Sequence, residues 1–507
     1  MKTVRILSIL FLLFCLAFVF ASCDNERPQE NAETEKTAET GQETGLGGLA
    51  FDSNGDGTCS VSGIGSCTDV DLRIPVLSPE GDRVTGIKDL AFCNNKRLVS
   101  VSIPDGVTSV GRFAFYGCRE LTSVVISDSV KTLDLYCFHG CANLTSVTLG
   151  SGVKMIKQNA FADCSSLSSL TLPESVRTIG PSAFSGCTGL TSVTVPNSVQ
   201  SIGLGAFSGC SGLTEITVPF VGAKAGVTAT DEDRYPLGYI FGTQDYPGGI
   251  ETEQEYRTGS DTTVSETYYI PSRLSSVTVT GGKILHGAFS GCAGLTEITL
   301  PLGVTEIGSM AFSGCAGLTK ITLPLGVTEI GSEAFSGCAG LTDFTIPTSV
   351  TSIGNGAFSS CPNLARIIAT GNTAYKVRNR CLIEIETKRL IWGSNSSMIP
   401  TDGSVTTIAS LAFTGNNSKS YSYSVNVPSG VTRIEDLAFY GCTTLGSLDL
   451  PESLESIGAN AFSLCHSLSW IGYRGTRAQW NAIEKGADWN KGTGNYTVSC
   501  SNGLIEK

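Results

Sequence analysis

Cysteine is the residue type in this chain with the clearest capacity for chemistry. The 507-residue sequence contains 19 cysteines, a number that would allow disulfides, thiolate metal sites or buried thiols. Because a constant spacing gives each side chain equivalent neighbours, cysteines in one repeat position should all have the same chemistry. Eleven cysteines occupy one position of a 23-residue repeat: Cys118, Cys141, Cys164, Cys187, Cys210, Cys292, Cys315, Cys338, Cys361, Cys442 and Cys465.

Two other units of the repeat carry asparagine in this cysteine position, at Asn95 and Asn416. Asparagine and cysteine are similar in size, and both offer a hydrogen-bond donor. The exchange favours a position whose side chain satisfies backbone carbonyl groups inside a turn, so that the thiols stay buried and reduced. A disulfide ladder and a metal array are the alternatives. Cys59 and Cys67 lie outside the repeats, and their spacing allows a disulfide without demonstrating one.

The segment Asp52–Gly57, with the sequence DSNGDG, resembles the start of a calcium-binding loop. The position at which such a loop needs a bidentate glutamate is Gly63, so the final ligand is missing. A turn rich in Asp and Asn before the first strand is the simpler interpretation. We therefore expect no metal site and no cofactor.

Histidine offers no catalytic or metal-binding cluster in this sequence. His139, His286 and His466 are the three histidines, and each falls in a different repeat turn. The sequence also lacks a phosphate-binding glycine loop and a Gly-x-Ser-x-Gly nucleophile motif. We therefore expect no catalytic residues and no enzymatic activity.

The elements that position these residues are the units of the repeat. An Ala-Phe pair, or its equivalent, recurs every 23 residues and marks each unit. A fixed period of this length predicts a stacked solenoid, in which each unit buries its apolar face against its neighbours. The marker phenylalanines are Phe92, Phe115, Phe138, Phe161, Phe184, Phe207, Phe289, Phe312, Phe335, Phe358, Phe413, Phe439 and Phe462.

Within each unit, a segment such as Leu190–Pro196 alternates apolar and polar residues, which predicts a short strand that the proline ends. A second apolar pair follows, for example Val199 and Ile202, and then Gly203 for a turn. The Gly-x-Ala-Phe-x-Gly-Cys segment is too short for an ordinary α-helix, and we expect one helical or 3₁₀ turn with the phenylalanine inside.

The recurring frame Leu-Thr-x-Val-Thr-x-Pro, Ile-Gly and Ala-Phe-x-Gly-Cys resembles the BspA-like class of bacterial leucine-rich repeats, the 23-residue type also described from treponemes. The resemblance covers roughly residues 50–507. It implies a curved leucine-rich-repeat solenoid with stacked short parallel β-strands on its concave side. It also implies a surface protein that takes part in attachment to host matrix proteins or to other bacteria.

Two interruptions and the two ends of the chain depart from the repeat. The first interruption is rich in tyrosine, and the second contains Cys381–Glu386 and Leu390–Trp392, which predict a small hairpin. Trp480 and Trp489 are expected to cover the C-terminal end of the core. The predicted divisions are a lipoprotein signal peptide 1–22, a lipidated cysteine and disordered tether 23–49, an N-terminal cap 50–86, repeat block one 87–219, an aromatic-rich insertion 220–282, repeat block two 283–364, a second insertion 365–403, repeat block three 404–468 and a C-terminal cap 469–507.

The N-terminus has the features of an export signal. Lys2 and Arg5 precede an apolar run, which ends in Ala21-Ser22-Cys23. Small residues directly before a cysteine resemble a lipoprotein processing site, with Phe20 as a departure from its usual leucine. This pattern predicts Cys23 as the lipidated first residue of the mature chain. Ordinary cleavage and an uncleaved anchor are the alternatives.

The charge of the chain restricts its partners. The formal net charge is −12 and the pI is near 4.9, whereas nucleic-acid binding requires a basic surface. Nucleic acid is therefore not expected as a partner. A small-molecule substrate is not expected either, because the sequence shows no catalytic motif.

Binding residues are expected where strand side chains point outward. Threonine suits such positions by β-propensity alone, which is the alternative to a binding role. Tyrosines of the aromatic-rich insertion are the other candidates, because tyrosine is an efficient contact residue, unless they only pack the insertion onto the solenoid. The outward candidates are Ser146, Thr148, Ser169, Thr171, Ser192, Thr194, Glu215, Thr217, Glu297, Thr299, Lys320, Thr322, Asp343 and Thr345, and the tyrosines are Tyr235, Tyr239, Tyr246 and Tyr256.

These features together predict a lipid-anchored protein of the bacterial envelope, on the outer membrane and facing outward. Its expected partners are host matrix proteins or bacterial surface proteins, and its expected role is adhesion or coaggregation. A non-adhesive structural protein, or a scaffold that faces the periplasm, is the alternative, because Asp24 follows the predicted lipidated position.

Overall fold

The computed structural model describes residues 48–226, 235–257, 262–394, 396–415 and 422–506. The described chain forms two compact units, which divide between Leu167 and Ser168. The predicted signal peptide, Cys23, most of the predicted tether and Asn416 lie outside the described residues.

The first unit is a solenoid of short strands arranged in two ladders. One ladder has the order β1-β2-β4-β6-β8-β10 and the other has the order β3-β5-β7-β9. All pairs are parallel except β1 with β2, which form an antiparallel hairpin at the N-terminal end. The strands are β1 (Ala50–Ser53), β2 (Thr58–Gly63), β3 (Asp71–Arg73), β4 (Arg83–Ile87), β5 (Ser100–Ile103), β6 (Ser109–Val110), β7 (Ser123–Ile126), β8 (Thr132–Leu133), β9 (Ser146–Thr148) and β10 (Met155–Ile156).

The second unit repeats this plan with further strands. Its strands before the second interruption are β11 (Thr178–Ile179), β12 (Ser192–Thr194), β13 (Ser201–Ile202), β14 (Glu215–Val218), β15 (Gly249–Arg257), β16 (Thr263–Pro271), β17 (Ser276–Val279), β18 (Glu297–Thr299), β19 (Glu306–Ile307), β20 (Lys320–Ile321), β21 (Glu329–Ile330), β22 (Asp343–Thr345), β23 (Ser352–Ile353) and β24 (Arg366–Ile368). The later strands are β25 (Tyr375–Arg378), β26 (Cys381–Glu384), β27 (Arg389–Gly393), β28 (Thr407–Ile408), β29 (Tyr423–Asn426), β30 (Arg433–Ile434), β31 (Leu445–Leu450), β32 (Ser456–Ile457), β33 (Trp470–Tyr473), β34 (Glu484–Lys485), β35 (Thr497–Cys500) and β36 (Gly503–Glu506).

The second apolar pair of each repeat forms a ladder of its own, which the sequence pattern alone did not predict as strand. Residues such as Ile307 and Ile330 are fully buried, and the two-residue strands that hold them pair in parallel across neighbouring repeats. Most repeats therefore have two strands, with isolated bridges at Thr171 and Ile284 in place of a strand, and the core lies between the two ladders.

The Ala-Phe segment forms successive turns, each closed by a hydrogen bond between residues three apart, as in a 3₁₀ turn. These turns do not join into a continuous helix. In one repeat, the N–H groups of Ala114 and Tyr116 donate to carbonyl groups three residues earlier. Phe113 and Gly117 have φ values of 56° and 67°, so the left-handed backbone at both positions prevents a helix. The phenylalanine side chain is nevertheless inside, as predicted, and Phe115 stacks on Phe138 with ring centroids 5.1 Å apart.

The aromatic-rich insertion consists of a 3₁₀ helix (Leu237–Ile240) and an antiparallel hairpin of β15 and β16. Phe241 is fully buried, and the carbonyl group of Ile240 accepts a hydrogen bond from the N–H of Phe207. In an ordinary pair of repeats, the residue before the next marker phenylalanine accepts this bond, as Ala206 does from Phe184. Strand β17 then pairs in register with β14, so the ladder continues past the insertion.

The second insertion contains the predicted hairpin, formed by β26 and β27, with β25 added on the other side of β26. Strand β27 pairs in parallel with β28, which joins this antiparallel sheet to the ladder that follows.

The C-terminal segment is a modified repeat. Strands β33 and β34 continue the two ladders in parallel, and α1 (Arg477–Ala482) lies between them. The antiparallel strand β36 ends the sheet. Trp480 is 5% exposed within the core, and Trp489 packs partly buried against Phe462, as expected of residues that cover its end.

Candidate functional site

The outward-pointing side chains of the longer strands form what we call the strand face. In the second unit, the sheet β12-β14-β17-β18-β20 aligns these side chains in columns. One column contains Ser192, Glu215, Ser276, Glu297 and Lys320, since these residues are paired in register. The face is therefore built of short polar side chains with acidic and basic groups among them.

A second column of the same sheet consists of threonines. Thr194, Thr217, Thr278 and Thr299 are register partners on consecutive strands. Their β-branched side chains suit an extended backbone, and the apolar residues between the columns point into the core.

Thirteen of the fourteen predicted strand-face residues are exposed, and Thr217 is half-buried. In the first unit, Ser146 and Thr148 lie on β9 beside Ser123 and Val125 of β7. In the second unit, Asp343 pairs in register with Arg366, and their side chains form an ion pair of 2.8 Å. The structure thus aligns most of the predicted residues within the sheets of each unit, although Asp343 and Thr345 lie on a separate two-stranded sheet and Thr171 forms only an isolated bridge with Thr194.

Threonine hydroxyl groups form a ladder of hydrogen bonds between repeats, at the position that directly precedes the column of Ser192 and Glu215. The hydroxyl group of Thr214 donates to the carbonyl oxygen of Thr191 at 3.0 Å, and that of Thr296 donates to Ser275 at 3.1 Å. Although both threonines are exposed, their hydroxyl groups already form hydrogen bonds within the chain that join neighbouring repeats.

A shallow groove lies on the strand face between β18 and β20. Its volume is about 250 Å³, and Glu297, Thr299, Lys320 and Thr322 are among its lining residues. Leu302 also lines it and is 89% exposed. The groove therefore combines one acidic, one basic and one exposed large apolar side chain above a buried apolar floor.

The tyrosines predicted as contact residues are mostly covered. Tyr235 and Tyr256 are 2% and 4% exposed and pack edge to face. The hydroxyl group of Tyr235 accepts a hydrogen bond from the N–H of Arg257 at 2.7 Å. Tyr239 and Tyr246 are half-buried. This burial favours the packing alternative for Tyr235 and Tyr256, because a covered side chain has little area to offer a partner.

The repeated cysteines have the role that the asparagine exchange indicated. The thiol of Cys315 donates to the carbonyl oxygen of Phe289 in the preceding repeat at 3.1 Å, and the thiol of Cys338 donates to Phe312 at 3.2 Å. Both thiols are free and buried. Burial raises the pKa of several of these thiols to about 12, namely Cys118, Cys210, Cys292, Cys361 and Cys442.

Asn95 uses its side chain differently from the cysteines. Its Oδ1 atom accepts the N–H groups of Arg97 and Leu98. Cys59 and Cys67 are both free thiols in the structure, and the sulfur of Cys59 lies 3.6 Å from the carbonyl oxygen of Asp82.

The calcium-like segment is the tip of the β1–β2 hairpin. Asp56 accepts hydrogen bonds from the backbone and the hydroxyl group of Thr58, and Asp52 pairs with Lys88 at 2.5 Å. The two carboxylates therefore bond to different protein groups. In the described part of the chain, no group of three or more His, Cys, Asp or Glu is placed to hold a metal ion.

The histidines remain in separate turns. His139 stacks on Tyr116, and its Nε2 atom lies 3.6 Å from Asp163. Burial lowers the pKa of His139 against the opposing effect of Asp163, and burial together with Arg257 lowers the pKa of His286.

Trp470 is an exposed, large strand-face residue that the sequence pattern did not single out. Trp470 begins β33 and is 41% exposed. Trp470 lies two residues after the buried Leu468, just as the outward Ser192 lies two residues after Leu190. Alignment of this divergent unit with the other repeats would have revealed the indole in an outward position.

Among the residues that the structure describes, no helix has the length and apolar character needed to cross a membrane.

Residues 85–214, 282–402 and 383–481 match the family model described as the BspA type leucine rich repeat region, in six copies. No curated protein sequence matches the chain. Among solved structures, a leucine-rich repeat protein from Bacteroides ovatus is 24% identical over 90% of this chain and 100% of that chain, with a TM-score of 0.47. A leucine rich cell surface protein from Faecalibacterium prausnitzii is 25% identical over 89% of this chain and 99% of that chain, with a TM-score of 0.32. The T. pallidum leucine rich repeat protein is 21% identical over 55% and 92% of the two chains, with a TM-score of 0.30.

Proposed function

Because this chain belongs to the family of BspA-type leucine-rich repeat proteins, we propose that it is a lipid-anchored cell-surface protein whose strand face binds other proteins. Leucine-rich repeat proteins generally act as binding scaffolds, since stacked repeats create long continuous surfaces. The proposed partners are host matrix proteins or surface proteins of other bacteria, and the proposed role is adhesion or coaggregation without covalent chemistry.

The observation that carries this proposal is the exposed, in-register strand face. Thr194, Thr217 and Thr299 lie at a constant position on strands that neighbour one another at about 4.8 Å. Glu297 and Lys320 occupy adjacent places in the next column. A surface of this kind can contact an extended partner at many points, and several weak contacts add to firm attachment when many copies act together.

Lipid anchoring is proposed from the sequence Ala21-Ser22-Cys23 at the end of the apolar run. Full-length protein would be expressed in a related bacterium, and intact cells would be treated with protease. We expect the solenoid to be degraded on intact cells, and Cys23→Ala to release it from the membrane fraction. Cys15→Ala, within the apolar run, is the matched control and should leave the protein in the membrane fraction.

Protection of the solenoid until the envelope is opened would contradict the adhesin proposal. It would favour the scaffold that faces the periplasm, which Asp24 makes the second candidate.

Binding would then be measured against purified matrix proteins with the charge-reversed variant Glu297→Lys/Lys320→Glu. We expect saturable binding by the native protein and weaker binding by this variant. Glu306→Lys changes an exposed charge on the other ladder and should bind as the native protein does. A passive coat protein would show no saturable binding.

A further inference from the structure

Trp470 differs from the other tryptophans of the chain in being exposed. Trp392 and Trp480 are 1% and 5% exposed, and Trp489 packs against the core. The indole of Trp470 lies on the strand face, 41% exposed, where the register partner on β31 is Ser447. Packing does not explain a large aromatic ring at an outward position, and an exposed aromatic ring is a frequent feature of binding sites.

Glycine replaces the usual outward side chain beside this indole. Gly472 is in register with Asp449 of β31 and with Ser499 of β35. It does not have a positive φ, so the backbone does not require glycine at this position. Glycine within a strand weakens it and often marks a place where a ligand comes close.

Gly472 makes room for the side chain of Asp449. A Cβ atom at position 472 would lie 2.3 Å from Oδ1 of Asp449, closer than atoms can approach, and 3.6 Å from Nε1 of Trp470. The carboxylate of Asp449 therefore occupies the place of the missing side chain, beside the exposed indole. Among the described residues, the indole N–H of Trp470 donates to no hydrogen-bond acceptor. One acceptor and one donor thus lie side by side at the edge of an exposed ring.

Further polar groups surround this donor and acceptor on the same face. The guanidinium group of Arg474 donates to Oδ1 of Asn426 at 2.5 Å, and Asn426 is the register partner of Asp449. The hydroxyl groups of Ser424 and Ser447 lie 2.6 Å apart. Carboxylate, amide, hydroxyl and guanidinium groups thus supply both donors and acceptors around the ring.

We propose that Trp470, Asp449 and Gly472 form a saccharide-binding site for a pyranose ring. The C–H bonds on one face of a pyranose are weakly positive and pack on the negative face of an aromatic ring. Each sugar hydroxyl both donates and accepts, which matches the indole N–H and the Asp449 carboxylate together. A cationic peptide side chain could also use an indole and a carboxylate, but the guanidinium of Arg474 on the same face opposes a second positive charge. The site stands independently of the lipid anchor and of the proposed protein partners.

The test uses purified full-length protein and a panel of methyl pyranosides of glucose, galactose, mannose and N-acetylglucosamine, together with their trisaccharides. Saturation-transfer NMR identifies the sugars that bind, and calorimetry measures the affinity. We expect at least one sugar to bind, and Trp470→Ala to lower its affinity at least about tenfold. Trp470→Phe keeps an aromatic ring and should retain part of the affinity.

Two further variants examine the polar part of the site. Asp449→Asn removes the charge at nearly constant shape and should weaken binding, and Gly472→Thr should displace the Asp449 carboxylate from the indole and weaken binding as well. Thr299→Ala changes an outward side chain elsewhere on the strand face and should bind normally. Trp470, Asp449 and Thr299 are exposed and Gly472 is half-buried, so unchanged thermal unfolding of each variant shows that the fold is intact.

Three results would overturn the proposal. The first is that no sugar of the panel binds, and the second is that Trp470→Ala binds as tightly as the native protein. The third is that a lysine- or arginine-containing peptide binds in a manner that depends on Trp470 while the sugars do not.

Discussion

The thiol of Cys141 donates a hydrogen bond to the carbonyl oxygen of Phe115, in the preceding repeat, at 3.2 Å. The same relationship joins Cys118 to Phe92 at 3.1 Å and Cys164 to Phe138 at 3.2 Å. Each of these carbonyl groups also accepts a backbone N–H within its own turn, and the thiol adds a second hydrogen bond that joins neighbouring units. This hydrogen bond explains why cysteine recurs in the repeat without a need for disulfides.

Removal of this donor should destabilise the first unit. Cys141→Ala removes one of the two hydrogen bonds that the Phe115 carbonyl accepts, the other coming from the N–H of Cys118, and creates a small cavity. We expect a loss of about 1–2 kcal/mol in the free energy of unfolding. Cys141→Ser retains a donor and should lose less. Urea unfolding measures both, and Ser146→Ala, an exposed change in the same unit, should be nearly neutral. Equal effects of the alanine and serine variants would show that volume, and not the hydrogen bond, is what matters.

Stability should decrease at alkaline pH. Burial raises the pKa of Cys210 and Cys361 to about 12, whereas a thiol in the unfolded chain has a pKa near 8.5. The unfolded chain therefore loses protons first as the pH rises. The contribution is fully present below about pH 8.5 and decreases by up to about 1.4 kcal/mol per pH unit for each buried thiol, until the folded pKa is reached.

Thermal unfolding under reducing conditions between pH 7 and pH 11 measures this effect. The variant Cys210→Ser/Cys361→Ser should show a shallower decrease than the native protein, because its hydroxyl groups do not titrate in this range. An unchanged slope would mean that these thiols do not ionise on unfolding, as expected if they were joined in disulfides.

The ion pair of Arg389 and Glu435 should stabilise the second insertion. Two bonds of 2.8 and 3.1 Å join the guanidinium to the carboxylate, and the side chains are only 26% and 18% exposed. Arg389→Met would leave a partly buried carboxylate unpaired, and we expect a cost on the order of 2 kcal/mol in urea unfolding. Arg366→Met breaks a pair of the same 2.8 Å distance with Asp343, but those side chains are 66% and 52% exposed, so we expect less than about 1 kcal/mol. Similar costs for the two variants would contradict the role of burial.

The ion pair of Arg389 and Glu435 makes stability depend on pH in the opposite sense to the buried thiols, because it is lost in acid and not in alkali. Burial acts to raise the pKa of Glu435, but hydrogen bonds from Arg389 and Ser410 outweigh it and lower the pKa below its ordinary value. The stabilisation is present above the ordinary carboxyl pKa and is lost as the pH falls through the lowered value. Urea unfolding of Arg389→Met and the native protein at decreasing pH should therefore give converging midpoints. A difference between the two midpoints that stays constant as the pH falls would contradict the lowered pKa of Glu435.

Glycine should be required where the turn adopts the left-handed backbone. Gly209 has a φ of 72°, and a Cβ atom there would lie 3.2 Å from the N atom of Gly186 in the neighbouring repeat. Gly209→Ala should cost about 1–2 kcal/mol in urea unfolding. Gly303 has no atom within 4 Å of its Cβ position and no positive φ, so Gly303→Ala is the matched control and should be nearly neutral. A neutral Gly209→Ala variant would show that the turn relaxes at no cost.

Much of the architecture could be predicted from the sequence, because the environment of each residue recurs with the period of the chain. Phe115 and Phe138 are 23 residues apart, and their rings stack since each lies above the same position of the next unit. The alternation around Val193 correctly predicted a buried residue between exposed Ser192 and Thr194. The second ladder was missed because two residues are too short a run to show strand periodicity.

The candidate site was less predictable, because its decisive contacts join residues at irregular separations. The sequence by itself determined the repeat, the inward phenylalanines, the outward polar columns and the hydrogen-bonding role of the cysteines. Only the tertiary structure decided that Tyr235 is buried against Tyr256, and that the outward indole of Trp470 stands beside the Asp449 carboxylate, which Gly472 accommodates. A repeat relates each residue to equivalent residues at a fixed offset, so the pattern predicts stacking between repeats. The contacts of an insertion or a divergent terminal unit have no such offset, and they arise only when the chain folds and the backbone brings their side chains together.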